Sequence, residues 1–119
     1  MNGRSALGIE GEDATARLYE EHGYLVLARN WRCRIGELDL VLARDDVLVF
    51  CEVKTRSGAG FGGGYEAVTS RKQAKLRSLA EAFLLATRTS PSSMRFDVAS
   101  VATAGSGRGA TVELFEDAF

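Results

Sequence analysis

The sequence predicts an α/β domain, a mixed β-sheet flanked by helices in the order α-β-β-β-α-β-β. Three observations lead there. Leu7–His22 and Arg71–Thr87 carry apolar residues at helical spacing. Five shorter runs, rich in Val, Leu and Phe, are bounded by Gly- and Asp-containing turns, as strands are. No internal repeat breaks the chain, and 119 residues make one domain spanning 1–119.

The first helix, Leu7–His22, aligns Ala14, Leu18 and Glu21 along one line and stops at Gly23. Tyr24–Arg29 is a first strand; Glu37–Ala43 and Val47–Thr55 are the next two, with Arg44-Asp45-Asp46 turning between them. Ser57–Tyr65 holds five glycines and reads as a flexible flap. It lacks the Gly-Lys-Ser/Thr ending of a phosphate-binding P-loop. In the second helix the apolar stripe is Leu76, Leu79, Ala80, Phe83 and Leu84, and Ser70 with Gln73 forms a capping box at its start. Met94–Thr103 and Ala110–Glu116 are two late strands around a turn at Ala104–Gly109.

At 45% hydrophobic residues the chain can build an ordinary core, and no apolar run is long enough to span a membrane. The first residues lack a signal-peptide core, which predicts a cytoplasmic protein. Cys33 and Cys51 form no Cys-x-x-Cys pair and read as small buried hydrophobes. His22 is the only histidine, so a zinc site of His and Cys is disfavoured. A metal here would take oxygen ligands, as Mg²⁺ or Mn²⁺ does. The net charge is −1, yet Arg29–Arg77 holds ten Lys/Arg against six Asp/Glu. A cationic surface on a near-neutral protein fits those numbers. So does an ordinary mixed surface.

Two runs carry the chemistry: Gly36-Glu37-Leu38-Asp39-Leu40 and Cys51-Glu52-Val53-Lys54-Thr55. Side chains alternate along a strand, so Glu52 and Lys54 share a face, as do Glu37 and Asp39. With an even turn at Asp45-Asp46, paired residue numbers sum to 91 and Asp39 lies opposite Glu52. Directly opposed Cβ atoms sit about 4.5–5.5 Å apart. Carboxylates that close repel unless a proton or cation lies between them. The set suits metal-dependent phosphodiester chemistry: Asp39 and Glu52 hold the metal, and Lys54 orients water or stabilises charge on phosphorus. A solvent-facing strip of cross-strand charges is the competing reading. The strand Val47–Thr55 is apolar on both faces, which marks it as central and covered. A charge at the end of such a strand needs partners.

The motifs Gly36-Glu37-Leu38-Asp39 and Glu52-Val53-Lys54-Thr55-Arg56 resemble the signature of the PD-(D/E)XK nucleases, which include restriction endonucleases and Holliday-junction resolvases. The nearer resemblance is to the YraN-type bacterial protein family. It runs through Gly8-x-x-Gly11-Glu12, Gly23-Tyr24, Asn30-Trp31-Arg32, Phe61-Gly62, Glu66-Ala67-Val68, Lys72-Gln73 and Arg95-Phe96-Asp97-Val98. The resemblance implies a restriction-endonuclease-like fold and a Mg²⁺- or Mn²⁺-dependent endonuclease acting on nucleic acid, DNA above all. It matches Asp39, Glu52 and Lys54 to the catalytic positions and adds Glu12 as a further acid and metal ligand. It makes a homodimer a reasonable expectation. Leu38 stands in place of the superfamily's proline, and Gly64 in place of a usual loop proline.

Further residues carry two readings each. Glu12 suits the first turn of a helix on dipole grounds alone. Arg71, Lys72 and Lys75 open the second helix, where the dipole disfavours cations; a phosphate partner or solubility explains them. Gln73 is a cap first and a nucleic-acid contact second. Trp31 with Arg32 can stack on a base or fill a core rim. Arg56 closes the second motif as a candidate nucleic-acid contact. Asp97, two residues after Arg95, reads as half of a structural ion pair.

Overall fold

The computed structural model describes residues 5–57, 68–103 and 109–119. Its elements are α1 (Ala6–Glu21), β1 (Leu25–Arg32), β2 (Glu37–Arg44), β3 (Val47–Ser57), α2 (Ser70–Thr87), β4 (Ser93–Thr103) and β5 (Ala110–Phe115). The order is the expected one. The five strands form one sheet in the order β1-β2-β3-β4-β5. The β3–β4 pair is parallel and the other three are antiparallel, so the sheet is mixed. The parallel pair follows from α2, which carries the chain back across the sheet between β3 and β4.

The helices cover opposite faces. On one side α1 presents Ala16 and Tyr19 to Leu40, Leu42, Val49, Cys51, Ala99 and Val101. On the other, α2 presents Leu76, Leu79, Ala80 and Phe83 to Val41, Leu48, Phe50, Phe96 and Val98. Central β3 is therefore buried on both faces, as its continuous apolar run requires. The α2 stripe is the expected one. In α1 the buried line is Gly11, Glu12, Thr15, Ala16 and Tyr19. Ala14 and Leu18 flank that line and Glu21 is exposed, because Tyr19 supplies the bulk that anchors the helix.

Three local features depart from expectation. Strand β1 runs on through Trp31 and Arg32, past a bulge between Val26 and Ala28 and a positive φ at Asn30. Trp31 then packs edge-to-face on Phe83, 5.3 Å between ring centroids. The cap of α2 is Thr69, whose hydroxyl accepts from Lys72 N. Gln73 makes no capping box with Ser70: its Nε2 donates to the Val68 carbonyl instead. Cys33 and Cys51 are both free thiols, Cys51 in the core on the α1 side and Cys33 packed against the core on the α2 side. The flap at Ser57–Tyr65, beyond Ser57 itself, and the turn at Ala104–Gly109, up to Gly109, lie outside the described residues.

Candidate functional site at the fork of β2 and β3

The β2–β3 hairpin has the expected register. Its pairs run from Arg44↔Val47 to Leu40↔Cys51, each summing to 91. Asp45 takes a positive φ of 56° in the two-residue turn, as tight hairpins of right-twisted strands demand. Beyond Leu40↔Cys51 the strands part company. Glu37 and Leu38 stay paired with Arg32 and Trp31 of β1, while β3 from Glu52 to Ser57 stays paired with β4. The next step of the register would set Asp39 against Glu52. There the Asp39 carboxylate enters the gap between strands, and Oδ2 accepts from Val53 N at 2.8 Å. A side chain thus takes over a donor at the point where the backbone ladder ends.

That fork gathers the acids. Burial, and then the charge of Glu52, push the Asp39 carboxyl up from 3.8 to about 7. The Val53 N–H opposes the shift, and Glu12 and Glu37 add to it. Desolvation and like charge both favour the neutral acid, and one neutral donor does not offset them. Glu12 reaches this field from α1, where it is buried. Its position depends on Gly11: a Cβ there would stand 1.9 Å from Thr55 Oγ1. Glycine lets α1 lie directly on β3, which brings the next residue to the fork.

On the α2 side a cleft of about 220 Å³ opens over the fork, lined by Glu37, Asp39, Glu52, Lys72, Lys75, Leu76 and Leu79. Lys72 Nζ meets Glu52 Oε2 at 2.9 Å. That hydrogen bond raises the lysine's pKa. Lys54 follows Glu52 by two residues on β3, half-buried and paired with Ser100, outside the cleft lining. Arg71 lies exposed on the first turn of α2, beside the cleft. Arg56 is half-buried near the end of β3. Arg32 is exposed and pairs with Glu37 at 3.2 Å. Trp31 serves the core, which favours the rim reading of its two.

The donor set at the fork is all carboxylate oxygen, which fits Mg²⁺ or Mn²⁺ by charge and hardness. Asp39, Glu52 and Glu12 are the residues that would hold such an ion. Among the described residues no three acids, histidines or cysteines already stand around one common point. Glu52 is engaged by Lys72 and Asp39 by Val53, so an ion would have to displace those contacts.

A second acid cluster had no clear sequence signal beyond the Arg95–Asp97 pair. Asp97 is fully buried under α1. Its Oδ1 accepts from Arg95 Nε and Asp117 N; its Oδ2 accepts from Arg95 Nη2 and the Tyr19 hydroxyl. Arg95 also donates to the Tyr24 hydroxyl. The ion pair expected there is present, and two tyrosines distant in sequence complete it.

No helix among the described residues is long and apolar enough to cross a membrane. Residues 11–101 match the model of the uncharacterised protein family UPF0102. A family protein of Parafrankia sp. is 54% identical over 95 residues, 80% of each chain. One from Pelotomaculum thermopropionicum is 46% identical over 116 residues, 98% of this chain and 97% of its own. One from Rhodococcus opacus is 46% identical over 114 residues, 96% of each. The match takes in Glu12, both motifs of the fork and the Arg95–Asp97 pair, and the chain belongs to the UPF0102 family.

Proposed function

We propose that the fork of β2 and β3 is the centre of a divalent-metal-dependent nuclease that hydrolyses phosphodiester bonds in DNA or structured nucleic acid. One observation carries the reading: Asp39 is half-buried at the fork, where desolvation and then the charges of Glu52, Glu12 and Glu37 hold its carboxyl at about 7 against a single backbone N–H. A cation relieves that repulsion, and the fold gains nothing from it otherwise. The resemblance of the two motifs to PD-(D/E)XK nucleases supports the same reading, as does the mixed sheet with its element order.

A bound Mg²⁺ or Mn²⁺ would polarise the scissile phosphate and acidify a water. The chain's own residues do the rest. Asp39, Glu52 and Glu12 hold the ion from β2, β3 and α1. Lys54, on the same strand as Glu52, orients the attacking water or offsets charge on the phosphorus. Arg56, Arg71, Lys72, Gln73 and Lys75 are the candidate contacts to the nucleic-acid backbone, from the end of β3 and the start of α2. Arg32 and Trp31, committed to Glu37 and Phe83, contribute less.

A second reading, a nucleic-acid-binding module without turnover, is favoured by the Lys72–Glu52 pair, which already neutralises one of the acids. One experiment separates them. Duplex, branched and single-stranded substrates are incubated with the protein in Mg²⁺ and in Mn²⁺, beside Asp39→Ala and Glu52→Ala. Cleavage lost in both variants supports the nuclease. Binding without cleavage in either metal supports the module. Cleavage that survives both substitutions refutes the assignment of this site.

A further inference from the structure

The Lys72–Glu52 contact has features that a purely structural ion pair lacks. Glu52 is nearly buried, with 12% of its side chain exposed, whereas Lys72 is 45% exposed and reaches in from the rim. Lys72 sits in the first turn of α2, three residues after the Thr69 cap, and that turn has no acidic residue. The helix dipole there repels a cation by about 0.3–1 kcal/mol. The lysine is therefore held against its own helix by the acids across the cleft. It is also a cation in direct contact with Glu52, one of the carboxylates that would bind a metal.

We propose that Lys72 is a displaceable counter-ion: in the free protein its ammonium takes the cation's place at Glu52, and on metal binding it is released toward a phosphate of the nucleic acid. The inference rests on the metal-site reading above and adds to it a coupling between metal and substrate. A divalent ion brings twice the charge to several carboxylates at once, so it competes well with a half-exposed ammonium. The released side chain stays tethered to the first turn of α2, at the mouth of the same cleft. Its charge is then unsatisfied there, which favours a phosphate. Linkage makes the effect reciprocal: metal strengthens nucleic-acid binding, and nucleic acid strengthens metal binding.

The test is calorimetric titration of Mn²⁺ into wild type, Lys72→Met, Lys72→Arg and Arg17→Met, the last an exposed cation of α1 outside the cleft lining. Lys72 is exposed, so its variants should fold, which a thermal melt checks. Lys72→Met is expected to bind Mn²⁺ about three- to fivefold more tightly than wild type, the span of a half-exposed ion pair. Lys72→Arg and Arg17→Met should stay near wild type. In parallel, Ca²⁺ should strengthen binding of a labelled DNA duplex in wild type and do so less in Lys72→Met. Mn²⁺ affinity in Lys72→Met equal to or weaker than that of wild type overturns the displacement while leaving the metal site standing. Mn²⁺ binding by none of the four proteins overturns both.

Discussion

Replacing Asp39 by Asn isolates the repulsion at the fork. The amide is nearly isosteric and its oxygen can still accept from Val53 N, so the perturbation is the loss of one ionisable group. In the folded protein the Asp39 carboxyl titrates near 7, against 3.8 for the free side chain. Between those values the folded state binds a proton that the unfolded state has lost. Stability must then fall as pH rises through that window. The difference of about three pH units corresponds to roughly 4 kcal/mol at most, at 1.36 kcal/mol per unit. Below pH 4 both proteins carry a neutral group at position 39 and differ little. At pH 8 Asp39→Asn is expected to be more stable by about 2–4 kcal/mol, or roughly 8–16 °C in Tm for a chain of this size. Urea denaturation from pH 4 to pH 8, without divalent metal, reads the difference directly; titrating groups outside the fork are common to both proteins and cancel. A stability difference that stays constant across that range refutes the reasoning. One that runs the other way would place Asp39 in a salt bridge the geometry does not contain.

Gly11→Ala should destabilise the protein by about 1–3 kcal/mol, because the added methyl lands on Thr55 and overpacks the α1–β3 contact. Helix propensity alone would predict a gain of about 1 kcal/mol, so the sign seen in urea denaturation decides between them. Asp97→Ala should cost about 3–5 kcal/mol, since Arg95 loses the carboxylate it is built around. Tyr19→Phe should cost only about 1 kcal/mol, because Asp97 Oδ2 keeps its bond to Arg95 Nη2. Equal losses in the two variants, measured by thermal melts, would contradict that division.

Local patterns made much of this fold readable before its structure. The Asp45-Asp46 turn set the β2–β3 register because a two-residue turn leaves little freedom in pairing. Continuous burial marked β3 as central, and the stripe from Leu76 to Leu84 placed α2. What stayed hidden depends on partners distant in sequence. The α1 face differs from the expected line because Tyr19 packs among sheet residues distant in sequence and its hydroxyl bonds Asp97, 78 residues away. Thr69 won the α2 cap over Ser70 by one residue, a margin below the resolution of pattern reading. The fork was invisible for a similar reason. Alternation places Asp39 on a sheet face, but the strands separate there and the carboxylate turns into the gap. Lys72 was legible as a cation in an unfavourable helical turn; its partner was not.

Comparing Asp97, fully buried, with Asp39, half-buried at the fork, shows why one is read as structure and the other as a site. Both lie within the sheet, and both would be costly if left charged and unpartnered. Asp97 has four donors on its two oxygens, among them both arms of an arginine, and has little capacity left for a ligand. Asp39 has the Val53 N–H; the charges of Glu52, Glu12 and Glu37 bear on it, with the Lys72 ammonium of the same cleft committed to Glu52. The same chain can therefore saturate a buried carboxylate when stability is the only demand. At the fork it instead brings Asp39, Glu52, Glu12 and Glu37 within range of one another and spends Gly11 on drawing α1 close. An arrangement that raises the energy of the empty site lowers the relative energy of the site with a cation in it. The deficit at Asp39 is thus the physical reason to expect a metal there, and the saturation of Asp97 is the control that gives the deficit meaning.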